Sequence, residues 1–236
     1  PEKQEIMAQI VGAINGISKA CKVLDTPVVS GNVSLYNETD NMAIQPCPVI
    51  GMVGLINDWK TAVGIGFTAA GKAIFVIGQP ADCADGWLGN SIFAKIVAGR
   101  EGGAPPPVDL DIEKAHGQFV RQQITASEIK AAHDINDGGL LVALAEMALS
   151  GNLGADINIP QSDTLPAWAF GEDQARYLVQ VDDAVKFQNL LDKHNFQGHQ
   201  IGTTTDSQIL TAGPDVTISL KEIRHHYENK LPKMMA

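Results

Sequence analysis

The sequence predicts a layered protein of α+β or α/β class, built in two parts. From residue 72 to the end, short apolar strand patterns alternate with helical patterns, which is typical of a sheet covered by helices. Before residue 60 the patterns indicate one helix and two strands, too few elements for a domain with paired strand edges. A small-residue, glycine-rich stretch over 60–71 lies between the two parts, and we interpret it as a linker or connecting segment.

The first part begins with an amphipathic helix, predicted over 2–22 from apolar residues that recur every three or four positions and ended by the Thr26-Pro27 pair. A strand is predicted over 28–36, interrupted in its middle by a glycine. A second strand over 48–56 is apolar throughout, which indicates that both of its faces are covered.

The second part alternates strands and helices, with an obligatory loop over 102–107 (GGAPPP). The predicted strands are 72–78, 129–135, 154–159, 175–181 and 199–205. The predicted helices are 87–98, 111–124, 139–150, 183–195 and a last helix that carries Leu220, Ile223, Tyr227 and Leu231 at helical spacing.

Composition restricts the class of protein. The 17 basic and 27 acidic side chains leave a net charge of −10, opposite in sign to that of a general nucleic-acid or anionic-membrane binder. No apolar run reaches the roughly 18 residues of a transmembrane helix. Three widely spaced cysteines argue against a zinc site or a disulfide framework and favour reduced thiols. The start at Pro1, directly before a helical pattern, suggests a piece of a longer chain.

The first candidate site is the interruption of strand 28–36. Gly31 would let a ligand approach the backbone, because no Cβ blocks it. Asn32 offers an amide oxygen, a ligand that Mg²⁺ accepts. In a regular strand Asn32 and Ser34 would share one face. The alternative is a β-bulge whose polar groups face water.

The second candidate is the segment 133–140 (HDINDGGL), where a strand ends and a helix begins. A glycine-containing helix N-terminus can hold an anion. The segment matches neither of the common phosphate-loop patterns. Capping of the helix by Asp and Asn would explain most of its composition without any ligand.

The third candidate is the segment 170–176 (FGEDQAR). Its adjacent carboxylates could hold a metal or accept hydrogen bonds. A solvated turn with a local ion pair to Arg176 explains the same residues equally well.

Together these segments resemble phosphoribosylformylglycinamidine synthases, the large synthetase subunits of purine biosynthesis. The run 26–38 (TPVVSGNVSLYNE) carries most of the resemblance, and the segments 133–140 and 170–176 follow in matching order. The HDxxDGG pattern alone would indicate only the wider aminoimidazole ribonucleotide (AIR) synthetase superfamily. Three further runs agree: 48–54 (PVIGMVG), 104–110 (APPPVDL) and 144–148 (LAEMA).

The resemblance implies a two-domain piece of a longer polypeptide with two homologous halves. Residues 1–68 would be the end of the second, ferredoxin-like A domain, a helix plus strands of a barrel-forming sheet. Residues 69–236 would be the second B domain, an α/β AIR-synthetase C-terminal-type domain. Such a piece would lack the histidines and most metal carboxylates of the first half, so we expect it to be inactive alone.

The activity implied is an ATP-dependent ligase reaction in the cytoplasm. It converts formylglycinamide ribonucleotide and glutamine-derived ammonia to the amidine through an activated iminophosphate. Gly31 would lie against ATP, Asn32 would help to hold Mg²⁺, and Ser34 would contact the ribonucleotide. The implied partners are the first half of the same chain, a glutaminase subunit and a small adaptor subunit, with no nucleic acid or membrane.

The family's second, pseudo-symmetric site is degenerate, and the resemblance makes Asp134, Glu172 and Arg176 its candidates. Two alternatives remain open at this point. One is a non-catalytic scaffold domain that docks the glutaminase or adaptor subunits. The other is a different member of the same ATP-binding superfamily, against which the NVSLYNE run argues.

Overall fold

The computed structural model describes residues 2–44, 46–78, 88–100, 102–160 and 165–235. The chain divides into two compact units, Pro1–Asn57 and Asp58–Ala236. The boundary predicted after residue 68 separates two domains of the resembled family, whereas the division after Asn57 separates two compact units. The boundary after residue 68 therefore stays a prediction.

The first unit contains the predicted N-terminal helix, α1 (Gln4–Leu24). The helix ends at Asp25, which adopts a left-handed conformation (φ +57°) and donates its N–H to the Cys21 carbonyl. No residue of α1 is buried. The amphipathic pattern therefore produces the helix, while its apolar face stays at least partly open.

The strands predicted over 28–36 and 48–56 are not formed, and this prediction is wrong for the structure. Neither segment has a strand partner among the described residues, and their apolar side chains are exposed, with Val29 and Val49 each at 92 % and Val53 higher still. A strand is defined by its ladder, so an apolar sequence alone cannot make one. Of the helix and strands expected of a barrel-forming sheet, the described residues form the helix and only a small hairpin.

The ladder in the first unit is a small hairpin of β1 (Glu38–Thr39) and β2 (Met42–Ala43). Its two turn residues, Asp40 and Asn41, have φ of +52° and +62°. Positive φ at both central residues is the geometry of the type I′ turn, and Asp and Asn tolerate it better than most residues. The run that resembles the synthases therefore leads directly into a defined turn.

The second unit is built on a seven-stranded sheet with the order β4-β6-β3-β7-β5-β8-β9. All neighbouring strands are antiparallel except the parallel pair β5 and β8. The strands are β3 (Ala73–Ile77), β4 (Ile129–Asp134), β5 (Gly154–Ile157), β6 (Tyr177–Val181), β7 (Gly198–Thr205), β8 (Ile209–Ala212) and β9 (Val216–Ser219).

Helices cover both faces of this sheet. The helices are α2 (Ile92–Val97), α3 (Leu110–Thr125), α4 (Gly139–Gly151), α5 (Leu165–Phe170), α6 (Ala184–Lys193) and α7 (Leu220–Met235). Ile74 and Val76 of β3 face a core shared with α4 and α5, whereas Phe75 and Ile77 face a core shared with α3 and α6. Strand β3 is thus buried on both sides, as its continuous apolar sequence requires.

The glycine-rich segment 60–71 is not a linker, which corrects its interpretation from the sequence. Phe67 is 3 % exposed and donates its N–H to the Met147 carbonyl of α4. A Cβ on Gly66 would lie 2.8 Å from the Gly151 nitrogen, so the small residues serve close packing on α4. The buried Gln180 amide then accepts from Thr68 and donates to the Ala69 carbonyl.

The predicted strands and helices of the second part are confirmed, with ends shifted by a few residues. The first residue of the helix predicted over 87–98 lies outside the described residues, and α2 occupies 92–97. From residue 72 onward, the described residues also form the short elements α5, β8 and β9, which were not predicted. Within the described parts of the chain, no helix has the length and apolar character needed to cross a membrane.

Candidate functional site

The three residues predicted to touch ATP, Mg²⁺ and the ribonucleotide lie on an open, irregular segment of the first unit. Gly31, Asn32 and Ser34 are all exposed, and a Cβ on Gly31 would meet no atom within 4 Å. Because the segment is not a strand, the shared face predicted for Asn32 and Ser34 is not defined. The Ser34 carbonyl instead accepts a hydrogen bond from the Asn37 side chain at 3.2 Å. The roles assigned to these residues stay predictions.

The described residues do not by themselves make a magnesium site. No group of three or more His, Cys, Asp or Glu side chains among them could hold a metal ion. Asn32 can offer one amide oxygen, whereas Mg²⁺ takes six ligands in near-octahedral geometry. A magnesium ion bound through Asn32 would need most of its ligands from water, phosphate oxygens or residues of another polypeptide segment.

The second candidate segment forms the tight turn between β4 and α4. Gly138 and Gly139 have φ of +84° and +75°, a conformation that favours glycine. A Cβ on Gly139 would lie 2.5 Å from the Phe170 carbonyl carbon, so the two candidate segments touch here. The expectation that Asp and Asn cap this helix is wrong. The N-cap residue is Gly138, which has no side chain that could accept a hydrogen bond from the first turn of α4.

Glu172 supplies the missing cap from the other segment. Its Oε1 accepts the Gly138 N–H at 2.8 Å and the Ile92 N–H at 2.9 Å. One carboxylate oxygen therefore joins the N-terminal ends of α4 and α2, where backbone N–H groups lack helical partners and favour a negative charge. The Glu172 carboxylate therefore stabilises the fold by accepting hydrogen bonds at the starts of two helices.

Arg176 is buried behind this loop, with a side chain that is 1 % exposed. Its Nη1 donates to the Gly171 carbonyl at 3.4 Å and lies 3.9 Å from Asp173 Oδ2. The Nε has no hydrogen-bond partner in the described chain. Burial lowers the pKa of Arg176, and the nearby Asp173 carboxylate opposes that shift. The local ion pair suggested by the sequence is therefore a long contact inside the protein.

Asp134 uses both of its carboxylate oxygens within its own turn. Oδ1 lies 3.1 Å from His133 Nδ1, and Oδ2 accepts from Asn136 Nδ2 at 2.8 Å. Asp134, Glu172 and Arg176 thus lie on two touching segments, but each is engaged in local contacts that the fold itself explains. A ligand-binding role for the three stays a prediction.

Sequence reasoning missed a polar cleft on the outer side of α4. The cleft has a volume of about 540 Å³ and lies between the end of β4, α4 and α7. Its key contact joins His133 Nε2 to Glu146 Oε2 at 3.1 Å. A signal was present, because Glu146 is the one charged residue in the apolar run 140–150. His133, Asn136, Glu146 and Arg224 line the cleft, together with Ile65, Leu149, Ser150, Tyr227 and Glu228.

Comparison with known proteins gives a family and close relatives. Residues 69–213 match the family model described as AIR synthase related protein, C-terminal domain. The phosphoribosylformylglycinamidine synthase subunit PurL of Rhodopseudomonas palustris (strain HaA2) is 50 % identical over 239 residues. The match covers 100 % of this chain and 32 % of that protein, so the chain spans under half the length of its curated relatives.

Solved structures share a fold with about 69–70 % of the chain. The Thermotoga maritima structure described as PurL complexed with FGAR matches with a TM-score of 0.58 and 19 % identity, covering 69 % of this chain and 29 % of that one. The structure described as T. maritima PurL complexed with ATP gives a TM-score of 0.54 at 16 % identity, covering 70 % of this chain and 27 % of that one. At these identities the likeness shows the fold alone.

Proposed function

The chain belongs to the AIR synthase related protein family through its C-terminal domain, and from this premise we propose that it serves as a C-terminal part of a phosphoribosylformylglycinamidine synthase. The reaction consumes formylglycinamide ribonucleotide, ammonia and ATP, and yields the amidine, ADP and phosphate. The observation that carries the proposal is 50 % identity to a PurL subunit along the whole chain, first unit included.

The first unit would contribute one wall of a composite active site. Gly31 lies in open space, so a nucleotide can approach its backbone without meeting a side chain. Asn32 and Ser34 are exposed close by and offer an amide oxygen and a hydroxyl. ATP with Mg²⁺, when bound, would supply the phosphoryl group that activates the substrate amide. The three uncharged residues would position the nucleotide, the ion and the substrate, and the ion would neutralise phosphate charge; positioning and charge neutralisation dominate catalysis of phosphoryl transfer.

The exposed apolar residues of the first unit support this composite arrangement. Val29, Val49 and Leu55 are each more than 90 % exposed, and they belong to segments whose sequences are typical of strands. Apolar surface of this extent marks an interaction site. We propose that another part of the same synthase polypeptide covers it. Activity would then require that part, and the chain by itself would be inactive.

The proposed partners follow from the ammonia requirement. A glutaminase subunit would release ammonia from glutamine, and a small adaptor subunit would connect it to the synthase. The reaction would take place in the cytoplasm.

A chimeric enzyme tests the proposal. This chain would replace the matching C-terminal third of the R. palustris subunit, and ATP-dependent amidine formation from ammonia would be measured. We expect an active chimera whose rate falls about 100-fold or more on Asn32→Ala, the scale of losing one transition-state contact. Asn15→Ala, an exposed change on α1, is the matched control and should leave the rate unchanged.

Two outcomes would contradict the proposal. A folded chimera without amidine-forming activity would reject the assignment to this enzyme. An active chimera that keeps its rate and its magnesium dependence after Asn32→Ala would reject the site and favour a scaffold domain. In that case gel filtration of the chimera with the glutaminase subunit would measure whether the chain contributes to assembly.

A further inference from the structure

The cleft beside α4 has two walls that carry charged side chains. One wall comes from the end of β4 and from α4, and it carries His133, Asn136 and Glu146. The other comes from α7 and carries Arg224, Tyr227 and Glu228. The volume of about 540 Å³ is within the range of small-molecule sites, about 300–1,000 Å³. None of the residues assigned above to ATP, Mg²⁺ or the ribonucleotide lines it.

The first wall is fixed by a chain of hydrogen bonds. Glu146, His133, Asp134 and Asn136 follow one another with contacts of 3.1, 3.1 and 2.8 Å. The His133 side chain is 11 % exposed and the Glu146 side chain 32 % exposed. His133 engages Oε2 of Glu146, and Oε1 has no hydrogen-bond partner among the described residues. The wall thus presents a carboxylate oxygen that is held in place and can accept a donor.

The second wall is fixed by Arg224. Its Nη2 donates to the Leu149 carbonyl at 3.2 Å, and its Nη1 donates to Glu228 Oε1 at 3.1 Å. These two contacts orient the guanidinium, which remains 42 % exposed and has N–H groups left over for a planar acceptor. Tyr227 is 66 % exposed beside it.

The two charges lie on the same side of α4. Arg224 binds the carbonyl of Leu149, and Leu149 is three residues after Glu146, on the adjacent turn of the helix. Both side chains line the same cleft, so one ligand in the cleft can reach both. Leu149 and Ile65 add apolar lining next to both charges.

We propose that this cleft binds a free α-amino acid with an apolar side chain. The ligand's ammonium group would donate to Glu146, and its carboxylate would accept from the Arg224 guanidinium. Its side chain would pack on Ile65, Leu149 and Tyr227. A simple anion is disfavoured by the net charge of −10 and by Glu146, and a simple cation is disfavoured by Arg224.

Calorimetric titration of the 236-residue chain tests the proposal with L-leucine as the probe. We expect saturable binding with a dissociation constant of about 1 mM or lower. N-acetyl-L-leucine lacks the ammonium group and L-leucinamide lacks the carboxylate, so each should bind about tenfold more weakly or worse. These ligand variants leave the protein unchanged, so no folding defect can imitate their effect.

Protein variants locate the site. Glu146→Gln and Arg224→Gln should each weaken L-leucine binding about tenfold or more. Glu222→Gln and Lys221→Gln make the same charge changes at exposed positions of α7 outside the cleft and should leave binding unchanged. The proposal is overturned if L-leucine does not bind saturably, or if leucinamide or acetyl-leucine binds equally well. It is also overturned if both cleft variants bind like the wild type.

Discussion

Removing the Glu172 carboxylate should loosen two helix ends at once. Its Oε1 accepts N–H groups from Gly138 at 2.8 Å and from Ile92 at 2.9 Å, at the starts of α4 and α2. Neither helix start offers another acidic side chain in its first turn. Glu172→Ala would therefore leave both amides without their acceptor and would remove the negative charge from both N-terminal ends.

The expected magnitude follows from the burial of each bond. The Gly138 bond is half-buried, and a hydrogen bond to a charged group contributes about 1.5–3 kcal/mol. The Ile92 bond is exposed, so water replaces most of it and about 0.5–1 kcal/mol is lost. We expect Glu172→Ala to lower the free energy of unfolding by about 2–4 kcal/mol. Glu172→Gln keeps an acceptor oxygen and should cost about 1 kcal/mol.

Urea unfolding followed by circular dichroism measures the loss, and amide hydrogen exchange locates it. Exchange at Gly138 and Ile92 should accelerate in Glu172→Ala, whereas the exposed control Glu222→Ala should leave both unchanged. Unaltered exchange at the two amides, with stability within about 0.5 kcal/mol of the wild type, would refute the reasoning. A magnesium-dependent rise in wild-type stability that Glu172→Ala abolishes would favour metal binding by Glu172 instead.

Three further predictions concern backbone strain, a buried amide and a surface carboxylate. Gly139→Ala combines φ +75° with a Cβ 2.5 Å from Phe170, and it should lower the free energy of unfolding by about 3 kcal/mol or more, whereas Gly64→Ala, in open space, should be nearly neutral. Equal unfolding midpoints for the two would contradict this. Gln180→Leu leaves the Thr68 N–H without its acceptor, while the Ala69 carbonyl keeps its hydrogen bond from the Thr204 hydroxyl, so we expect a loss of about 1–3 kcal/mol by urea titration. The ammonium groups of Lys72 and Lys130 lower the pKa of the Asp182 carboxyl. Asp182 therefore stabilises the fold fully above its unfolded-state pKa, and this stabilisation is lost as the pH falls through the lower folded-state pKa. In Asp182→Asn the free energy of unfolding should fall less steeply at acid pH, and an unchanged slope at low salt would reject the ion pairs.

The sequence predicts elements well where pattern and packing agree. Strand β3 is continuously apolar and lies buried on both faces, and α4 has the apolar content of a helix inserted into the core. The strands expected at 28–36 and 48–56 failed because strand formation depends on a partner that the pattern cannot supply. The segment 60–71 was misread because glycine suits both a loose linker and a close contact, and only the three-dimensional approach of Gly66 to Gly151 distinguishes them.

The sites show the same limit. The sequence singled out 133–140 and 170–176 as polar segments, and the structure brings them into contact at Gly139 and Phe170. It could not show that Glu172 reaches across to cap α4, because the pairing joins residues 34 positions apart. The contact between His133 and Glu146 depends equally on where α4 packs against the end of β4. The residue types predicted which segments carry polar side chains, whereas the hydrogen-bond partners of those side chains depend on how the fold brings distant segments together.

The position of β3 in the sheet affects how the protein folds while it is being translated. It is the first strand of the second unit to be translated, yet its two neighbours are β6 and β7, whose last residue is Thr205. This inner strand, apolar on both faces, therefore stays unpaired until more than a hundred further residues have been synthesised. Pairing over such sequence separations slows folding, and it makes the nascent chain a client for chaperones that shield unpaired strands.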